Sequence, residues 1–144
     1  MEQLIQQMRT ILGTNFGLYA KSHSFHWNIE GPNFNDYHAF LGAFYAGVFA
    51  NTDLIAEKIR MLGAYAPVSL GRLIELSDID DETIIPGPIA MFSILQRDND
   101  RFIYHLRAGI KAADEAGEPA ISNFLQDLLD QHQKHAWMLK SIIK

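Results

Sequence analysis

Apolar residues recur at three- and four-residue steps along most of this chain, and strand-like alternation is scarce. Leu4, Met8, Ile11, Leu12, Phe16 and Tyr19 form one such stripe, predicting an amphipathic helix from about Glu2 to Asn28. A second helix is predicted from about Asn35 to Leu62, with Gly63 placed to end it in a left-handed cap. Pro88, a favoured first helical residue, opens a third that carries Phe92, Leu95, Phe102, Leu106 and Ile110 and stops at Gly117. A fourth starts near Pro119 and runs through Ile121, Phe124, Leu128, Ala136, Leu139 and Ile142.

The connections set the topology. The first and last links are a few residues long, so helices one and two are antiparallel, as are three and four. The middle link, Ala64 to Gly87, has 24 residues, enough to cross the roughly 40 Å length of the second helix. Leu70 to Leu76 inside it read as a short helix of their own. The predicted fold class is therefore all-α: a ferritin-like four-helix bundle, with a long crossover carrying a short helix between helices two and three. Residues 1–144 read as a single domain.

Composition narrows the chemistry. With 48 % apolar and 20 % charged residues the sequence is that of a folded protein. No apolar run approaches the ~20 residues of a membrane span, and the start lacks a secretory leader, so no membrane association is expected. The absence of cysteine excludes disulfide scaffolds, thiolate metal sites and thiol catalysis, and it fits a cytoplasmic protein. A net charge of −5 argues against a general nucleic-acid-binding surface.

Ionisable residues stand among apolar ones between Lys21 and Gly63. His26 ends the first helix and His38 lies early in the second. Asp53 and Glu57 sit one turn apart near its end, hence on one face. Two imidazoles and two carboxylates suit iron, zinc or manganese. His38 and Asp53 are fifteen residues apart, roughly 22 Å along one helix, whereas metal–ligand bonds are only ~2.0–2.2 Å. If all four residues are ligands, the carboxylates must come from a second copy of the chain, packed antiparallel about a two-fold axis near Ala46 and Gly47. Ala39, Gly42, Ala43 and Ala50 keep that helix thin. Taken singly, plainer readings remain open. A lone histidine is most often a core residue, Asp53 and Glu57 could pair with Lys58, Arg60 or Arg72, and the small residues could pack inside one bundle. His132, His135 and His105 read as solvent-facing or structural, because no Glu precedes either helix-four histidine by three residues. His23 reads as a surface residue or a partner of His26. Gly-rich phosphate loops, HExxH and nucleophile elbows are absent.

The run His26-Trp27-Asn28, Gly31-Pro32-Asn33-Phe34, His38 and Asp53-Leu54-Ile55-Ala56-Glu57 resembles the Dps proteins, the DNA-protection-during-starvation mini-ferritins. The ending Lys134-His135-Ala136-Trp137-Met138-Leu139 is similar to their last helix, and the resemblance spans essentially the whole chain. It implies a homododecameric hollow shell that oxidises Fe(II), typically with hydrogen peroxide, at sites shared across dimers, and stores Fe(III) without an organic cofactor. It places His26 and His38 on one subunit and Asp53 and Glu57 on the other, as catalytic and metal ligands. Four residues after His38, where the family carries a metal-binding aspartate, this chain has Gly42. That departure implies a weakened centre, a water in the gap or a substitute such as Asp36. It also motivates the alternative of a metal-binding or structural shell with little turnover. Trp27 is expected to pack at the interface or intercept radicals. Asp127 and Asp130 resemble pore acids, and Asn123 stands where the family often has one. DNA binding is expected to be weak, since no basic tail is visible and twelve chains at −5 each would carry about −60.

Overall fold

Five helices in the order α1 (Glu2–Asn28), α2 (Phe34–Met61), α3 (Leu70–Leu76), α4 (Pro88–Glu115) and α5 (Pro119–Ile143) make up the chain. This computed structural model describes all 144 residues, Met1–Lys144. The boundaries follow local chemistry. Pro88 and Pro119 occupy the first turns of α4 and α5, where a missing N–H costs nothing. Gly63 and Gly117 adopt φ values of 88° and 70°, and the amides after them reach back to the carbonyls of Ile59 and Ala113. Both helices therefore end in left-handed caps that glycine tolerates without a Cβ clash. Ser69 caps α3, its hydroxyl accepting from the Arg72 amide at 3.1 Å.

The predicted stripes meet in one core. Leu4, Met8 and Ile11 of α1, Leu41, Val48 and Ile55 of α2, Phe92, Phe102 and Leu106 of α4, and Leu125 and Leu139 of α5 are buried together. α1 packs on α2 and α4, and α4 packs on α5, which is the ferritin-like arrangement expected. A buried ion pair also ties α1 to α4, with Lys21 Nζ 2.8 Å from Asp98.

The crossover is clamped to α1. A Cβ on Gly13 would stand 2.7 Å from both the Leu73 carbonyl oxygen and Leu76 Cβ, and one on Gly17 would collide with the Ser77 hydroxyl. The Asp78 amide donates to Thr14 Oγ1 at 3.1 Å, and Asp78 also meets His105 Nε2 at 2.9 Å. Two glycines a turn apart thus let α3 lie directly on the α1 backbone.

α2 decides what the bundle presents outward. It is long and apolar enough to cross a membrane by length and composition, with a mean hydropathy of 1.3 over 18 residues. This qualifies the expectation from the sequence that no run would reach that threshold. Its apolar residues divide between two faces. Leu41, Phe44, Val48, Ile55 and Ile59 line the core, while Ala43, Ala46, Gly47, Phe49, Ala50 and Leu54 are exposed. The small-residue stripe therefore lies on the surface of the chain, not inside the bundle. An apolar face of this extent on a charged protein calls for a covering partner.

Candidate metal centre

The short α1–α2 turn folds the end of α1 back against the start of α2, and this brings His26 and His38 together. Their rings stack with centroids 3.7 Å apart and 15° between planes. Nδ1 of His26 lies 2.8 Å from the His38 carbonyl oxygen, and Nδ1 of His38 lies 2.8 Å from the His26 carbonyl oxygen. A carbonyl can only accept, so each Nδ1 must carry the hydrogen and donate it. The exchange fixes both tautomers and leaves each Nε2 with a free lone pair, the state that a metal ligand requires. Phe34 stacks on His38 at 4.8 Å and helps to hold its plane.

Asp53 and Glu57 project from the far end of α2, both exposed and one turn apart. A hydrogen bond that the Glu57 carboxyl donates to Asp53 when protonated, reinforced by repulsion from the Asp53 charge, raises its pKa above the ordinary value. No basic residue forms an ion pair with them, although the Lys58 charge offsets part of the repulsion on Glu57. Lys58 lies over the Phe124 ring, Arg60 donates to the Ala64 carbonyl at 2.8 Å, and Arg72 pairs with Glu75 at 3.0 Å. Two crowded carboxylates without an ion-pair partner are suited to receive a cation. Within one chain no three His, Asp or Glu side chains come close enough to hold a metal ion. The structure therefore brings the two histidines together and the two carboxylates together, and leaves the pairs apart.

Gly42 packs against the first histidine. A Cβ there would lie 3.1 Å from His26 Cε1 and 3.4 Å from Nδ1, so the ring occupies space beside the position that a longer side chain would need. Asp36 is exposed in the first turn of α2 and pairs with no cation.

Two tyrosines not foreseen at the site from the sequence, Tyr19 and Tyr45, adjoin His23 one turn before His26. The Tyr19 hydroxyl lies 3.0 Å from His23 Nδ1, and Tyr45 stacks flat on His23 at 3.8 Å and 9°. His23 is thus built into an aromatic cluster and does not sit as a free surface residue; burial and then His26 lower its pKa. Trp27 lies 4.4 Å from His23 with most of its own ring exposed. The i, i+4 spacing of Tyr19 and His23 was a usable signal. Tyr45 could not be read, because its contact depends on how α1 and α2 pair.

The other histidines are structural more than solvent-facing. His132 is fully buried, its Nδ1 donating to Asn99 Oδ1 at 2.7 Å while Asn99 Nδ2 donates to the His132 carbonyl at 2.9 Å. Burial pushes its pKa down to about 3, and that of His135, half-buried against Phe44, to about 4. His105 is held between Gln7 and Asp78. Asn123, Asp127 and Asp130 are exposed on α5.

Comparison with known proteins agrees with this architecture. A family described as Ferritin-like domain matches residues 5–144. Antigen TpF1 of Treponema pallidum is 32 % identical over 145 residues, covering 98 % of this chain and 80 % of the relative. Its crystal structure superimposes with a TM-score of 0.94, covering 98 % of this chain and 91 % of that one. A DNA protection during starvation protein from Brevibacillus brevis is 29 % identical over 127 residues, covering 88 % of this chain and 85 % of the relative. A Dps crystal structure from Bacillus brevis is 26 % identical, with a TM-score of 0.95, covering 99 % of this chain and 96 % of that one.

Proposed function

The chain belongs to the ferritin-like family and, within it, to the Dps proteins, and from that premise we propose that it binds Fe(II), oxidises it and stores Fe(III). The observation that carries this reading is the reciprocal His26–His38 lock, which presents two bare Nε2 atoms while an Asp53–Glu57 pair without an ion-pair partner stands ~22 Å away on the same exposed helix face. Antiparallel pairing of two α2 helices over Ala43, Ala46, Gly47 and Ala50 makes each distance problem solve the other. The histidines of one copy face the carboxylates of the next, twice per dimer.

In this reading the two imidazoles supply neutral nitrogen donors, and Asp53 and Glu57 supply the negative charge that favours Fe(III) over Fe(II). Both carboxylates bind the cation in their ionised form. Hydrogen peroxide or dioxygen takes the electrons, so no organic cofactor is needed. The proposal extends to a closed homododecameric shell in the cytoplasm, with weak affinity for DNA at a charge of about −60.

A second reading rests on Gly42: a shell that binds metal but turns over slowly, because one carboxylate is lacking beside His26. Anaerobic Fe(II) titration of metal-free protein, followed by peroxide, separates the two. Saturable binding with oxidation much faster than in buffer supports the ferroxidase. Binding without acceleration supports the slow shell, and no saturable binding sinks both. The sharing of sites has its own test. When a His26→Ala/His38→Ala chain is co-assembled with an Asp53→Asn/Glu57→Gln chain, one intact site forms per mixed dimer, so about a quarter of wild-type sites return. No recovery would refute the inter-subunit site.

A further inference from the structure

We propose that His132 and His135 form a buried two-nitrogen site for a soft monovalent cation, copper(I). The pair lies away from the candidate metal centre and does not depend on the ferroxidase reading. Both residues are on α5, three apart and so on one side, with ring centroids 5.0 Å apart and planes at 88°. His132 is fully buried and its Nδ1 donates to Asn99 Oδ1 at 2.7 Å, so its Nε2 is a bare lone pair. That nitrogen has no hydrogen-bond partner, and neither has the buried Nδ1 of His135. A leucine or phenylalanine would fill the same space without stranding a ring nitrogen, so core packing alone does not account for two of them. Burial keeps both rings neutral at pH 7, the form that binds a metal.

The surroundings select the ion. Phe102 lies 4.5 Å from the His132 ring and Phe44 4.6 Å from the His135 ring, and no Asp or Glu joins the pair as a third ligand. A divalent ion would keep its whole charge in this interior, where the cost of burial rises with the square of the charge. A single positive charge costs about a quarter as much, and the aromatic faces offset part of that. Copper(I) carries one charge, binds imidazole and is satisfied by two ligands. Zn(II) and Cu(II) need four, in tetrahedral or tetragonal arrangements that this core does not offer. In the binding state His135 carries its hydrogen on Nε2, so both stranded nitrogens present lone pairs. Two nitrogen–metal bonds of about 2 Å each suit rings at this spacing. The Asn99 hydrogen bond holds His132 in the ligating tautomer, and the half-buried His135 gives the ion its way in. No electron moves: the ion enters and stays as copper(I).

Two measurements on the full-length, metal-free protein test this. The first is an oxygen-free titration with copper(I) against a chromogenic copper(I) chelator, in a His26→Ala/His38→Ala chain so that the α1–α2 imidazoles contribute nothing. One copper(I) per subunit should be held. His135→Phe, which keeps a ring beside Phe44, should weaken binding at least about a hundredfold, more than the loss of an outer partner does. The second needs no substitution. X-ray absorption of the copper-loaded wild type should show nitrogen neighbours, and copper anomalous density in its crystals should lie between the His132 and His135 rings. Unchanged affinity in His135→Phe, copper held by methionine sulfur, Zn(II) bound as tightly as copper(I), or no density between the two rings would overturn the inference. If His135→Phe does not fold, the wild-type spectrum and density decide alone. Failure of Fe(II) oxidation would refute the ferroxidase reading and leave this site standing.

Discussion

Lowering the pH from 7 to 5 should destabilise the folded chain, with His132 a main contributor. Its ring is fully buried between Asn99 and Phe102, and burial, then the neighbouring His135, pushes its pKa from 6.5 down to about 3. Between those values the unfolded chain binds a proton at this ring and the folded chain does not. Stability therefore falls as pH drops through 6.5, and it stops falling below about 3. At 1.36 kcal/mol per pH unit, the loss between pH 7 and 5 integrates to about 2 kcal/mol, and to about 3 kcal/mol by pH 4. His135, lowered to about 4, adds a loss of the same sign, reduced because its ring is partly exposed. Denaturant unfolding at fixed protein concentration, read by circular dichroism at both pH values, gives the wild-type loss. The same experiment on His132→Gln removes the titration and keeps a side chain able to donate to Asn99. Wild type should lose about 2 kcal/mol more than the variant. Equal losses would show that the buried ring does not stay neutral in the folded protein, and the linkage argument would be wrong.

Three further outcomes follow from particular contacts. Gly13→Ala should destabilise by about 1–2 kcal/mol in the same unfolding assay, because its Cβ meets the Leu73 carbonyl oxygen at 2.7 Å and the gain in helix propensity offsets only about 1 kcal/mol; a more stable variant would mean that α3 does not rest on α1. Gly42→Asp should raise the Fe(II) bound per subunit in anaerobic titration, after the His26 ring yields a few tenths of an ångström; unchanged stoichiometry would refute the missing-carboxylate account. Asp53→Asn with Glu57→Gln should weaken Fe(II) binding at least about tenfold. Since both residues are exposed and one turn apart, it should leave the folded chain no less stable. A large drop in melting temperature would assign them a structural role instead.

Much of the architecture is legible in the sequence. Proline at 88 and 119 and glycine at 63 and 117 act through their own backbone limits, so the helix ends fell where the sequence put them. The three- and four-residue stripes named most of the core, and loop lengths alone implied two antiparallel pairs and a crossover. The distance between His38 and Asp53 is equally a property of the chain, since a helix cannot shorten. That forced any four-ligand site to be shared between copies.

Tertiary packing decided the rest, because side-chain partners depend on how helices are rotated against one another, and spacing does not report rotation. No pattern in the sequence announces that Nδ1 of His26 and Nδ1 of His38 exchange hydrogen bonds with each other's carbonyls. That depends on the angle at which α2 returns along α1. The same pairing lays Tyr45 on His23, turning a residue that looked like a surface histidine into part of a cluster. The packing of α5 on α4 likewise buries His132, which the sequence left undecided between solvent and structure, because only that contact supplies Asn99. The sequence by itself determined the helices, their order and the kinds of ligand available. Which ring nitrogens stay free, and which face of α2 remains uncovered, were decided only when the four helices packed, since those depend on contacts between residues far apart in the chain.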